Sequence, residues 1–196
     1  MQVEGKGLQR PAPVIQAITR PNLVEIERFE MQIQQRKSGG ATPWQRGLIH
    51  NPHMIGKVAE VATQNFINAK FQNSCAVDMN VHYGGDKGFD LKPYGLKIEV
   101  KGQGKENNPA LVRRADDGGR MIPLTADVFV FVDCAIRTQP KLLGWITLRD
   151  LRKYGRFEKA PGGREHFNIT VRLEYLKPMR RLLQLIGAYR SDRQCQ

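Results

Sequence analysis

The sequence predicts an α/β domain, a central mixed β-sheet flanked by helices, preceded by a helical arm. Three observations carry that prediction: a helical stripe opening at Asn51, the continuous apolar run DVFVFVDC, and the strand-like segment KIEVKGQ, in which charged or polar and apolar residues alternate. Asn51-Pro52 suits a helix start, and Ile55, Val58, Ala59, Ala62, Phe66 and Ala69 then recur at helical spacing through about Lys70. AVDMNVHY and GFDLKPYGLKIEVKG follow, with Pro93-Tyr94-Gly95 as a turn between short strand-like runs, which reads as a hairpin or a three-stranded meander. DVFVFVDC has the all-apolar character of a strand covered on both faces. LLGWIT is a further strand, LRDLRKY a short helix, FNITVRL a strand, and LKPMRRLLQLIGAY a basic helix with Met179, Leu182, Leu183, Ile186 and Tyr189 on its apolar face.

Two regions interrupt this order. Residues 1–50 hold four of the eleven prolines around NLVEIERFEMQIQQRK, where Leu23, Ile26, Phe29 and Ile33 have helical spacing. This arm can dock on the domain, on a second subunit or on nucleic acid. Residues 102–126 are polar and punctuated by Gly and Pro, with ALVRRAD as a short helix; so long a connection in a small domain is often functional. The expected organisation is an arm (1–50), a domain (51–190) and a short tail (191–196).

With 196 residues, 40% of them hydrophobic, the chain can form one core. Lys and Arg exceed Asp and Glu by 31 to 19, a net charge of +12 that suits a polyanionic partner, nucleic acid first, because each neutralised phosphate releases counterions. Cys75, Cys134 and Cys195 are odd in number and widely spaced, which argues against a disulfide framework or a zinc ribbon. No apolar run approaches the roughly 20 residues of a membrane span, and the opening MQVEGKGLQRPAP lacks a signal peptide's apolar core. These features predict a soluble, cytoplasmic protein without a membrane partner.

The chemistry is concentrated in GGDKGFDLKPYGLKIEVKGQGK. On a strand, Glu99, Lys101 and Gln103 share one face while Ile98 and Val100 point the other way, into a core. The turn at Pro93–Gly95 folds the chain back and can set Asp90 beside Glu99. Two carboxylates and an ammonium in one place suit phosphodiester hydrolysis, where negative charge gathers on phosphoryl oxygens and a hard cation needs oxygen ligands. Asp90, Glu99 and the Val100 carbonyl are the expected metal ligands, and Mg2+ or Mn2+ the expected cofactor. Lys101 would orient the attacking water, assist its deprotonation or stabilise charge on the scissile phosphate.

This D…ExK arrangement resembles the PD-(D/E)xK nuclease superfamily, with its restriction-endonuclease-like core. The likeness extends over roughly residues 50–155: a helix carrying a glutamate (GKVAEVA), a Gly-rich lead-in (GGDKGFD), the ExK strand, a later apolar strand and a G-W-x-T strand followed by a short helix. The resemblance implies a DNA endonuclease, with duplex DNA as partner and Glu60 as a helix glutamate that binds or positions metal. Double-strand cutting would favour a homodimer. No proline precedes Asp90, and the crossover helix expected after the ExK strand is not evident in residues 102–126.

Other residues admit two readings. Glu60 lies opposite the stripe of Ile55, Val58, Ala62 and Phe66, yet shares a second row with Gly56, Ile67 and Phe71, as on a helix covered on two sides. Asp86 in GGDKG is a turn residue or a rival to Asp90. Gln103 can contact phosphate or water, or end the strand in solvent. Lys92, Lys97, Lys105, Arg113, Arg114 and Arg120 can grip phosphates or form a solvated surface. His50, His53, His82 and His166 lack metal-binding spacing, Trp145 reads as core and Trp44 as an anchor for the arm. Two alternatives to DNA cleavage remain: nucleic-acid binding without catalysis on the same fold, and an RNA-directed nuclease.

Overall fold

A computed structural model describes residues 12–37, 52–79, 88–104, 110–113, 123–159 and 167–194. At its centre lies strand β4 (Val128–Asp133), in which all six residues are buried. Apolar side chains on both faces require cover on both, and β4 has a strand neighbour on each edge. It pairs in parallel with β2 (Ile98–Gln103) and antiparallel with β5 (Lys141–Thr147), which pairs antiparallel with the two-residue β1 (Val14–Ile15). The central sheet is therefore mixed, with order β1-β5-β4-β2.

One face is covered by helices. Helix α2 (Pro52–Asn68) lays Val58, Ala59 and Ala62 over Ile98, Val100 and Val130, and α4 (Met179–Gln194) adds Met179, Leu182 and Ile186 to the same core. Gly102 permits the close approach of α2, since a Cβ there would stand 2.7 Å from the Ile55 carbonyl oxygen. Helix α1 (Arg20–Lys37) docks on α2 with Ile26, Phe29 and Ile33 buried. Residues 12–37 thus adopt the first of the three placements open to the arm, against the domain itself.

The opposite face carries a three-stranded antiparallel sheet of order β3-β7-β6, from β3 (Ala110–Arg113), β6 (Arg156–Lys159) and β7 (Phe167–Val171). With α3 (Leu148–Tyr154) it encloses a second core around Val112, Phe129, Phe131, Ile146, Leu151 and Val171. Trp145 is buried, its indole N–H donating to the Pro178 carbonyl at 3.1 Å. Cys75 and Cys134 are free thiols. Among the described residues, no helix is long and apolar enough to cross a membrane.

Three sequence expectations need correction. ALVR is a strand, not part of a short helix, because residues 110–113 complete a ladder with β7, a partner nearly sixty positions away that local propensity cannot reveal. The described part of the connection from β2 to β4 therefore holds a strand of the second sheet in place of a crossover helix. Before the Pro93 turn, the strand-like run reduces to a single bridge, Leu91 to Ile98, and residues 76–79 form no strand, so the arrangement is a minimal hairpin with no meander in its described part. The remainder of AVDMNVHY lies outside the described residues.

Candidate functional site

The hairpin that places Asp90 is pinned by three backbone hydrogen bonds: Asp90 and Leu91 N–H both donate to the Ile98 carbonyl, and Ile98 N–H donates to the Leu91 carbonyl. Its turn uses two left-handed residues, Tyr94 (φ 47°) and Gly95 (φ 92°). For tyrosine that conformation is uncommon and requires support. Phe71 meets the Tyr94 ring edge-on at 6.0 Å, and the Arg190 guanidinium lies over it at 5.8 Å. Phe71, just past the end of α2, and Arg190 of α4 thereby hold the turn that returns Asp90 to β2.

Asp90 sits on the edge of β2 away from β4. Its carboxylate accepts from the Val100 N–H at 2.6 Å. A strand residue's N–H and C=O leave on the same edge, so the Val100 carbonyl is directed to the Asp90 side. Glu99 and Lys101 form an ion pair on the face in register with Phe129 and Phe131. On that face Glu99 is buried, only 8% exposed. Its Oε2 is buried and, among the described residues, has no hydrogen-bond partner. An orphaned buried carboxylate oxygen costs on the order of 1–3 kcal/mol or more, so it demands a physical reason.

Glu60 approaches from α2, which is indeed covered on two sides, by α1 and by β2. It is buried, pairs with Lys57 at 2.6 Å, and acts electrostatically on Asp90. Burial pushes the Asp90 carboxyl up to about 8, and the negative charges of Glu60 and Glu99 add to the rise; the Val100 N–H and Lys101 pull the other way. Lys57 escaped the sequence reading. Its Nζ also donates to the Asp78 carbonyl at 3.0 Å and lies 5.0 Å from the centre of the Phe29 ring. The available signal was its i, i+3 spacing from Glu60.

Asp90, Glu99, Val100 and Lys101 are thus brought together, with Glu60 beside them. Gln103 continues the row, in register with Asp133. Lys92 is exposed, and its ammonium and that of Lys97 each lie 5.8 Å from the Phe89 ring, next to Asp90 in sequence. Arg113 ends β3, but its side chain, like Asp86, Lys105, Arg114 and Arg120, lies outside the described residues. The same holds for His50, His82, His166, Trp44 and Cys195.

The chain matches no protein-family model, no curated protein and no solved structure. Whether a divalent cation fits therefore rests on the donor set. Among the described residues, no three His, Cys, Asp or Glu side chains form a ready-made cage. Two carboxylates, Asp90 and Glu99, with the Val100 carbonyl give a hard all-oxygen set that leaves positions for water and phosphate, as magnesium prefers. The unpartnered Glu99 Oε2 fits that reading: a cation there would satisfy it and relieve the repulsion felt by Asp90.

Proposed function

We propose that this protein is a divalent-metal-dependent nuclease of the PD-(D/E)xK type that hydrolyses DNA phosphodiester bonds. The observation that carries the reading is the meeting of Asp90, Glu99 and Lys101 at the edge of β2, with one buried Glu99 oxygen lacking a partner among the described residues. Asp90, Glu99 and the Val100 carbonyl hold Mg2+ or Mn2+, which supplies Lewis-acid neutralisation of charge developing on the phosphoryl oxygens. Lys101 orients the attacking water and stabilises the same charge, and Glu60, fixed by Lys57, faces Asp90 as a further acidic group. The net charge of +12 supports a polyanionic substrate. Cutting both strands with one site per chain calls for two copies, so a homodimer belongs to this reading.

The absence of a three-acid cage among the described residues, together with the Glu99–Lys101 ion pair, favours a second reading, nucleic-acid binding without catalysis. One experiment separates them. Purified protein and its Lys101→Ala variant are incubated with supercoiled plasmid, linear duplex, single-stranded DNA and RNA, in magnesium, manganese or EDTA. Metal-dependent DNA cleavage that the variant loses supports the nuclease, and cleavage confined to RNA moves the substrate. Binding without cleavage under every cation transfers the assignment to the binding protein.

A further inference from the structure

Lys57 stands one helical turn before Glu60 in α2, and its ammonium is held from three directions. It donates to Glu60 Oε2 at 2.6 Å and to the Asp78 carbonyl at 3.0 Å, and the Phe29 ring of α1 has its centre 5.0 Å away. The Lys57 side chain is only 14% exposed. An ion pair serving the helix alone would sit better in solvent, because taking both charges out of water can cost more than their contact returns. Here the pair lies beside two further carboxylates: the charges of Glu60 and Glu99 both act on Asp90, and Lys101 opposes them.

The charges in this cluster set how many metal ions it can take. Among the described residues, the carboxylates of Asp90, Glu60 and Glu99 face the ammonium groups of Lys57 and Lys101, an excess of one negative charge. One divalent cation turns that excess into one positive charge, which the phosphate of a diester cancels. A second would leave two positive charges uncompensated in a largely buried space, and at Glu60 it would have to share the carboxylate with the Lys57 ammonium. The pairing of Glu60 with Lys57 also agrees with the lack, among the described residues, of any three His, Cys, Asp or Glu side chains placed as a cage. We propose that Lys57 stands in place of a second metal ion: it keeps Glu60 as its own partner, so that the site takes a single divalent cation on Asp90, Glu99 and the Val100 carbonyl. Lys57 is then a positioning residue that fixes the metal count, and Phe29 ties that role to the docking of α1. The inference rests on the metal-dependent reading of the site and deepens it.

Bound Mn2+ is counted on the metal-free full chain by electron paramagnetic resonance of the ion left in solution, with no nucleic acid present, so that cleavage plays no part. The parent is expected to bind one Mn2+ and Lys57→Met two, while Lys57→Arg, which keeps the charge, stays at one. Adding Glu60→Gln to Lys57→Met should return the count to one. Thermal unfolding checks each variant, and Lys57→Gln replaces Lys57→Met where the latter does not fold. A count of two in the parent would overturn the proposal and leave the nuclease reading standing. So would a count of one in folded Lys57→Met and Lys57→Gln, which would make Lys57 a support for α1 alone. A second ion that survives Glu60→Gln would lie elsewhere and would overturn it as well. Binding of no Mn2+ by the parent would refute the metal-dependent reading itself, and this inference with it.

Discussion

Asp90 and Asp150 are both partly buried aspartates beside the central sheet, and they are treated in opposite ways. Asp150 lies in the first turn of α3. The Lys177 ammonium at 2.6 Å holds its carboxyl below the ordinary range, with partial burial opposing and the Thr147 hydroxyl assisting. Thr147 also accepts the Asp150 N–H at 3.0 Å, capping the helix. Asp90 is pushed up to about 8 by burial and by two further carboxylates. At α3 the charge supports the fold; at the edge of β2 the fold supports charges that oppose one another. Such opposition is expected where binding, not stability, selects the residues.

Four substitutions test this contrast, from the largest expected effect to the smallest. Glu99→Gln keeps the shape of the side chain and removes its charge; it should lower metal-dependent cleavage by two orders of magnitude or more, about 3 kcal/mol, with thermal unfolding of the metal-free protein unchanged or raised. Retained cleavage would remove Glu99 from the site. Gly102→Val drives a side chain against the Ile55 carbonyl and should cost roughly 1–3 kcal/mol by overpacking in urea denaturation, loosening α2 and with it Glu60. A neutral result would show that α2 is free to shift.

Asp90→Asn should stabilise the metal-free protein at pH 8 by about 1–2 kcal/mol, because it deletes a buried and repelled charge. The unfolded carboxyl titrates near ~3.9 and the folded one at about 8, so the folded chain retains a proton between those values. The penalty is absent below the first, grows with rising pH and is complete above the second; the variant's advantage should follow the same course. An advantage independent of pH would disprove the cause given. Asp150→Asn should act with the opposite sign and cost about 0.5–1 kcal/mol at neutral pH, as its pair is partly solvated. Asp150's contribution is present above its unfolded range and lost as pH falls through its lowered folded value, so variant and parent should converge in acid denaturation. Persistent divergence there would point to the helix cap instead.

Much of the frame was legible in the chain. Helices α1, α2 and α4 follow their apolar spacing, and β4 follows from six apolar residues in succession. The alternation in KIEVKGQ placed Ile98 and Val100 toward the core and Glu99 beside Lys101. The second sheet was less legible. FNITV reads as a strand, but ALVR reads as helix and RFEK as no element, since a short charged edge strand has little pattern of its own. At the site, Lys57 was missed because its role arises from Phe29, Asp78 and Glu60 together, contributed by separate segments.

The residues alone determined which side chains carry opposing chemistry, where the apolar faces lie and the net charge of +12, because periodicity and composition are local properties. Only the tertiary structure decided that Glu99 is buried with an unpartnered oxygen, that Asp90 reaches the Val100 amide, and that Tyr154 and Phe157 meet Tyr175 and Phe167. The reason is physical: desolvation, charge repulsion and ring stacking depend on distances between groups remote in the chain, and folding alone sets those distances.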